Sequence, residues 1–181
     1  MAHVCPWWGG YLIDNRLRRL IHDPGRILAP YVAEGMTVMD FGCGMGLFAL
    51  EMARMVGPHG LVVAVDVQPR MLDEVKVRAR RQGLAERVQT RCSGAESLGF
   101  HVHVDFCLAF YSLHEVRGQR RMLEDLYLCL RPCGRLLWVE PVGHVPAKTF
   151  ARMIESAEEV GFRATERPSV RWSHAVVLAC R

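Results

Sequence analysis

Glycines and carboxylates at the ends of two apolar runs are the residues of this chain best suited to chemistry. The stretch VMDFGCGMG, residues 38–46, places Asp40 just before three glycines at alternate positions. These glycines are Gly42, Gly44 and Gly46. Glycine permits a tight or left-handed backbone and lets a ligand lie against the main chain. A second acid, Asp66, ends the apolar run LVVAVD 20 residues after Gly46. This spacing predicts a nucleoside-bearing ligand whose ribose hydroxyls are bound by Asp66.

The spacing of the glycines disfavours a dinucleotide as that ligand. When the G-x-G-x-x-G frame begins at Gly42, its third glycine falls on Leu47. When it begins at Gly44, the third position is Ala49, which is a tolerated variant, so the dinucleotide is weakened without being excluded. Asp40 weighs further against NAD, because its negative charge would repel a pyrophosphate. S-adenosylmethionine suits this carboxylate better, since it carries an ammonium and a sulfonium and has no phosphate.

Structural roles compete with ligand binding at both acids. Asp40 can orient an ammonium directly or through water, or it can simply cap the loop or the following helix. Asp66 can bind a ribose, or it can simply form a turn before the sequence Val67-Gln68-Pro69. The residue pattern leaves both alternatives open.

Apolar runs that alternate with amphipathic segments predict the fold. Strands are predicted at residues 37–41, 61–66, 87–92, 104–110 and 135–140, with two more at the end of the chain. Helices are predicted at residues 47–56, 69–83, 119–130 and 147–160. This alternation predicts a parallel sheet with helices on both faces. The connection from Ser169 to Ser173 is short enough for a hairpin, so the last strand is expected to run antiparallel to its neighbours.

Four motifs in this order resemble the class I S-adenosylmethionine-dependent methyltransferase family, particularly its small members similar to ubiquinone and menaquinone biosynthesis methyltransferases. They are VMDFGCGMG, VVAVDVQPRML, VDFCLAFYSLHEV and LRPCGRLLWVEP, and the resemblance runs from about Gly35 to the C-terminus. It implies an α/β fold, a Rossmann-like three-layer α/β/α sandwich with a seven-stranded, mostly parallel sheet whose last strand is antiparallel. The expected organisation is one compact domain, with residues 35–181 as the methyltransferase domain and residues 1–34 as an N-terminal helical flank or lid.

The resemblance implies S-adenosylmethionine as the cofactor, bound by loops at the carboxyl ends of the strands. The expected cofactor-binding residues are Asp40, Gly42, Cys43, Gly44, Gly46, Asp66, Val67, Gln68, Ser93, Gly94, Ala95, Phe110 and Tyr11. Tyr11 is included because related enzymes often have a Tyr of the N-terminal flank on the cofactor carboxylate.

The segment after the third strand departs from the family pattern. Related enzymes often have Gly-Asp-Ala-Glu there, and the Asp receives the adenine amine, whereas this chain has SGAE at residues 93–96. We therefore expect Ser93, or the backbone of the next two residues, to replace that contact. The alternative for Glu96 is that it only caps a short helix.

The fourth strand ends in FYSLHEV, residues 110–116, where the acceptor should meet the methyl group in this family. His114 is the best candidate for a general base because the ordinary pKa of histidine is about 6.5. Tyr111 is the second catalytic candidate and a candidate wall of the acceptor pocket, and Glu115 and His144 are weaker options. A base is optional for methyl transfer, so His114 can also have only a packing role. The segment lacks the Asn or Asp followed by Pro-Pro and an aromatic residue that usually marks methylation of adenine or glutamine.

Composition limits the remaining possibilities for partners and location. The chain has 181 residues, half of them hydrophobic, and its formal net charge of +4 comes from arginine patches that solvate helix faces or contact phosphates. Its seven cysteines include no C-x-x-C pair, which favours a reducing cytoplasm over a disulfide framework, and no metal site is expected. The apolar runs are too short to span a membrane.

The interpretation that combines these features is methyl transfer from S-adenosylmethionine to a small-molecule acceptor. A planar or apolar acceptor is expected from the family resemblance and from the N-terminal aromatic residues Trp7, Trp8 and Tyr11. A membrane is not expected as a partner, and neither is a nucleic acid. The chain is small, so either the acceptor is small or a second subunit of a homodimer completes the pocket. The competing interpretations are an RNA or protein methyltransferase, a non-catalytic S-adenosylmethionine-binding module and an NAD-dependent oxidoreductase.

Overall fold

The computed structural model describes residues 21–180. Its strands are β1 Thr37–Phe41, β2 Leu61–Asp66, β3 Val88–Cys92, β4 Val104–Phe110, β5 Leu130–Pro141, β6 Phe162–Glu166 and β7 Ser173–Cys180. The helices within this range are α1 Pro24–Leu28, α2 Leu47–Met55, α3 Pro69–Arg81, α4 Gln119–Cys129 and α5 Ala147–Val160. None of these helices is long and apolar enough to cross a membrane.

The seven strands form one sheet in the order β3-β2-β1-β4-β5-β7-β6. β1 pairs with β2, β2 with β3 and β4 with β5 in parallel, whereas β7 runs antiparallel to both β5 and β6. The expected seven-stranded sheet with an antiparallel last strand is therefore confirmed. Within this sheet the chain divides into two compact units at Cys92 and Ser93.

The first unit contains β1 to β3 with α1 to α3. β2 is buried along nearly its whole length, as expected for an apolar parallel strand covered on both faces. α3 buries Met71, Leu72, Val75 and Ala79, which lie on one face of the helix. α1 begins as the Asp-Pro signal predicts: Asp23 accepts a hydrogen bond from the backbone N–H of Arg26 at 3.3 Å, and Pro24 occupies the first turn.

The second unit contains β4 to β7 with α4 and α5. α5 ends where expected, at Val160, and its C-cap is Gly161, whose φ of +127° is a conformation that glycine adopts readily. The predicted start of β5 at residue 135 was wrong, because Leu130 already pairs with Val104. The register then shifts by a bulge containing Cys133, at φ +67°, before regular pairing resumes. The helix predicted to reach Leu130 accordingly ends one residue earlier.

Candidate functional site

The glycine corner after β1 is fixed to the end of β2 by main-chain hydrogen bonds. The backbone N–H groups of Gly42 and Cys43 both donate to the carbonyl oxygen of Val65 at 2.8 Å. Gly42, Gly44 and Gly46 have φ values of +73°, +50° and +87°. A residue with a Cβ is disfavoured in this region by about 1–2 kcal/mol, so the backbone favours glycine at all three positions.

The second and third glycines of this corner have different surroundings. A Cβ built on Gly44 would meet no atom within 4 Å, which leaves open space against the main chain at that point. A Cβ built on Gly46 would lie 3.1 Å from Cγ2 of Val75 on α3. Gly46 therefore allows close packing of α2 against α3, whereas Gly44 offers the bare backbone that a ligand needs.

Asp66 joins the end of β2 to the glycine corner. Its Oδ2 atom accepts a hydrogen bond from the N–H of Gly44 and its Oδ1 atom accepts one from the N–H of Gln68, both at 2.9 Å. Burial raises the pKa of this carboxyl, opposed by the hydrogen bonds from the backbone of Gln68, Gly44 and Val67. The hydrogen bond from Gln68 forms the turn that the sequence analysis gave as the alternative to ribose binding. Both roles are compatible, since each carboxylate oxygen can accept more than one hydrogen bond.

Asp40 lies in β1 and is only 2% exposed. The alternative that it caps the following helix was wrong, because the N-cap of α2 is Gly46 and, among the residues described, no side chain caps that helix. Burial, and after it the negative charges of Asp40 and Asp66, raise the pKa of the Cys43 thiol well above its usual value. The thiol is therefore neutral near pH 7 and adds no charge to the two carboxylates of this corner.

The segment after β3 begins with Ser93, which is buried, and continues through Gly94 and Ala95. Residues 93–100 form no helix and have bends at 95–97 and 100, so the alternative that Glu96 caps a short helix was wrong. A hydrogen bond holds this segment to α4: the N–H of Leu98 donates to Oδ2 of the buried Asp125 at 2.8 Å. Sequence reasoning missed Asp125.

In the second unit, β4 ends at the buried Phe110, and the next residue, Tyr111, has a strained backbone. Tyr111 has a φ of +61°, which is uncommon for a residue with a bulky side chain. Its N–H donates to the carbonyl oxygen of Val139 at 2.8 Å, and its hydroxyl shares a hydrogen bond with Oγ of Ser173 at 2.6 Å. Such strain persists only where surrounding contacts hold it, and it is concentrated at functional sites.

His114 is held by an acid that sequence reasoning did not single out. Glu140, near the end of β5, is fully buried, and its Oε2 atom lies 2.5 Å from Nδ1 of His114. Oε1 accepts hydrogen bonds from the N–H of His114 at 3.1 Å and from Nε1 of the buried Trp138 at 2.7 Å. The signal for Glu140 was present in RLLWVE, because it is an acid that ends an apolar run, as Asp40 and Asp66 do.

The surroundings of His114 favour its protonated form overall. Burial alone would lower the pKa of this imidazole, but the hydrogen bond and charge of Glu140 and the charge of Glu115 raise it above the ordinary value. Nε2 lies 4.0 Å from Oε1 of Glu115, beyond hydrogen-bond distance. The ring of His144 stacks on that of His114 with centroids 6.1 Å apart.

Two further expectations concerned the N-terminal aromatic residues and metal binding. Tyr11, together with Trp7 and Trp8, lies outside the residues that the structure describes. Between residues 21 and 180, no three His, Cys, Asp or Glu side chains cluster closely enough to hold a metal ion.

Comparisons with known proteins agree with this geometry. A family model for a methyltransferase domain matches residues 38–134, more than half of the chain. The ubiquinone/menaquinone biosynthesis C-methyltransferase UbiE of Enterobacter sp. (strain 638) is 33% identical over 110 residues, covering 60% of this chain and 44% of that protein. The UbiE of Escherichia fergusonii has the same identity and coverage. The matched part of the chain thus spans less than half the length of these relatives.

Solved structures share the fold. A SAM-dependent methyltransferase from Aquifex aeolicus superposes with a TM-score of 0.88 at 24% identity, covering 98% of this chain and all of that one. The [4+2]-cyclase SpnF superposes with a TM-score of 0.72 at 20% identity, covering 86% of this chain and 79% of that one. The chain belongs to the methyltransferase-domain family, the class I S-adenosylmethionine-dependent methyltransferases. S-adenosylmethionine is the cofactor that this membership implies.

Proposed function

We propose that this chain transfers a methyl group from S-adenosylmethionine to a small-molecule acceptor. The observation that carries the proposal is the open space beside the α-carbon of Gly44, whose N–H donates a hydrogen bond to the buried carboxylate of Asp66. Open space against a bare α-carbon, beside an acid with remaining acceptor capacity, fits a nucleoside better than it fits a purely structural turn.

The residues present fit the cofactor in charge as well as in shape. Asp66 would accept the ribose hydroxyls, and Asp40 would orient the ammonium group of the methionine portion. Contact of Ser93, or of the backbone of Gly94 and Ala95, with the adenine stays a prediction from the sequence. Contact of Tyr11 with the cofactor carboxylate stays a prediction from the family resemblance.

S-adenosylmethionine, when bound, supplies a methyl group on a positively charged sulfur, which makes that methyl carbon open to attack by a nucleophile. The chain's own contribution is to bind and align the reactants, because in-line displacement depends strongly on distance and direction. A buried setting also excludes water from competing as a nucleophile. Asp40 and Asp66 are 2% and 8% exposed, so their contacts to the cofactor would form with little competing water.

The choice of a small molecule as acceptor is supported by the relatives named as ubiquinone/menaquinone biosynthesis C-methyltransferases. It is also supported by FYSLHEV after β4, which lacks the residue pattern usual for methylation of adenine or glutamine. Planar, apolar molecules are the acceptors we propose to test first.

Radiolabelled methyl transfer tests the proposal. The purified chain is incubated with methyl-labelled S-adenosylmethionine and a cell extract separated by size. We expect label in the low-mass fraction and its loss in the Asp66→Asn variant. Label found only in protein or RNA would overturn the small-molecule acceptor, and binding of S-adenosylhomocysteine without any transfer would favour a non-catalytic module.

A further inference from the structure

We propose that Glu140 positions His114 as the proton acceptor for a protic acceptor such as a phenol, whose nucleophile is released by loss of a proton. The inference rests on the proposed function and names its acceptor class. Its basis is three hydrogen bonds that converge on one carboxylate with no solvent exposure. Two of them come from His114, one from its backbone and one from its ring.

These contacts fix which ring nitrogen of His114 can take a proton. A carboxylate only accepts hydrogen bonds, so the 2.5 Å contact to Oε2 of Glu140 requires the hydrogen on Nδ1. In the neutral ring the lone pair is then on Nε2. The side chain of His114 keeps 22% of its surface exposed, so it is not closed off from solvent or from an acceptor.

Trp138 and the backbone make the pair rigid. Oε1 of Glu140 is held by the indole N–H of Trp138 at 2.7 Å and by the backbone N–H of His114 at 3.1 Å. The ring of Trp138, which is fully buried, packs edge-on against Phe150 with centroids 5.6 Å apart. The carboxylate therefore cannot turn away from His114 without losing buried hydrogen bonds, which is costly.

The charges around His114 stabilise the imidazolium that proton transfer would create. Glu140 contacts Nδ1, Glu115 lies 4.0 Å from Nε2, and the ring of His144 stacks at 6.1 Å. Two carboxylates thus flank the ring, against one neighbouring imidazole. This arrangement suits a base that must gain positive charge during the reaction.

The proposed step balances in atoms and electrons. The acceptor's proton moves to Nε2 of His114, and the electron pair it leaves behind forms the new bond to the methyl carbon. The bond between that carbon and sulfur breaks, its electron pair stays on sulfur, and S-adenosylhomocysteine is released. Acceptors with no proton to lose, such as a pyridine nitrogen or a thioether sulfur, would gain nothing from Glu140 and His114.

The variant Glu140→Gln tests this assignment with little change in shape. The glutamine oxygen can still accept from Trp138, but its NH₂ would face Nδ1 of His114 and donate to it. The hydrogen of the neutral ring then moves to Nε2, and the base is lost. In a comparable acid–histidine pair, replacing the acid by its amide lowers kcat by about 10⁴-fold through the wrong tautomer.

The experiment measures label transfer to catechol and 1,4-dihydroxynaphthalene, with pyridine and dimethyl sulfide as acceptors that have no proton to lose. We expect transfer to the phenols, a fall in kcat of about 100-fold or more in Glu140→Gln, and partial recovery in Glu140→Asp. The acidic limb of the pH profile should move to lower pH in Glu140→Gln. The exposed Glu159→Gln, which removes an acid paired with Arg120, is the matched control.

Two results would overturn the inference. One is transfer only to pyridine or dimethyl sulfide, and the other is a Glu140→Gln variant with the wild-type kcat and pH profile. ¹⁵N spectra of the histidine ring, recorded at a pH above the raised pKa of His114 so that the ring is neutral, provide a test without an acceptor. Nδ1–H is expected in the wild type and Nε2–H in the variant, and a neutral wild-type ring with its hydrogen on Nε2 would contradict the inference. Binding of S-adenosylhomocysteine is measured first, because its absence would count against the proposed function itself.

Discussion

The Oδ2 atom of Asp66 accepts a hydrogen bond from the backbone N–H of Gly44 at 2.9 Å. The acid at the end of β2 and the glycine corner after β1 therefore form one structure rather than two separate motifs. Because the N–H of Gly44 is engaged by the protein, approach of a ligand is easiest at its α-carbon, where a Cβ would meet nothing within 4 Å. A change at either residue should alter the other's role in binding.

Gly44→Ala should weaken binding of S-adenosylhomocysteine strongly, because the added methyl group enters the open space against the backbone. Gly35 provides a matched control: its φ is +82°, and a Cβ there also meets nothing within 4 Å. Both substitutions should lower stability by about 1–2 kcal/mol through backbone strain. Calorimetric titration should show a loss of affinity in Gly44→Ala alone, whereas equal affinities in the two variants would argue against a ligand at Gly44.

Asp125→Ala should destabilise the second unit, because the N–H of Leu98 loses its buried acceptor. An unsatisfied buried donor costs about 1–3 kcal/mol. Arg121→Ala removes the exposed ion-pair partner of Asp125, at 3.3 Å, and of Glu124, at 3.8 Å, and should cost about 0–1 kcal/mol. Urea unfolding of the two variants measures the difference, and a larger loss in Arg121→Ala would contradict this role of Asp125.

His114 should make stability depend on pH. Because the folded state raises the pKa of this imidazole, the group contributes stability that is fully present below the unfolded pKa of about 6.5. That contribution is lost as the pH rises through the higher folded-state pKa. The difference in Tm between the wild type and His114→Gln should therefore be larger at pH 5.5 than at pH 9. His59→Gln, at an exposed position, is measured in parallel, and a His114→Gln difference that grows with pH would show the opposite sign of coupling.

The sheet could be predicted because its strands are buried and because glycine or proline residues mark the ends of its helices. The runs at 37–41, 61–66 and 104–110 match the observed β1, β2 and β4, since a strand covered on both faces reads as a continuous apolar stretch. The start of β5 was not predictable in the same way. Its first residues, LRPCG, contain a proline and a glycine that indicate a loop, yet pairing of Leu130 with Val104 overrides that local signal.

The glycines and acids of the site could be predicted from the sequence, because their types and positions indicate their roles. Contacts between residues far apart in the sequence could not. Glycines at positive φ and acids at strand ends are visible in a linear sequence. The pairing of His114 with Glu140 joins residues 26 apart, and that of Leu98 with Asp125 joins residues 27 apart. Contacts of this kind depend on the register of β4, β5 and α4, which composition and periodicity do not specify.

Titration of S-adenosylhomocysteine into the wild type and into Asp66→Asn, followed by calorimetry, tests the central claim most directly. Asp73→Asn is the control, because that carboxylate is 70% exposed and pairs with Lys76 on the surface of the same unit. Loss of a hydrogen-bonded charge should weaken binding by roughly 10- to 100-fold in Asp66→Asn, with Asp73→Asn unchanged. A wild type that does not bind the compound at millimolar concentration, or an Asp40→Asn/Asp66→Asn double variant with full affinity, would contradict the account.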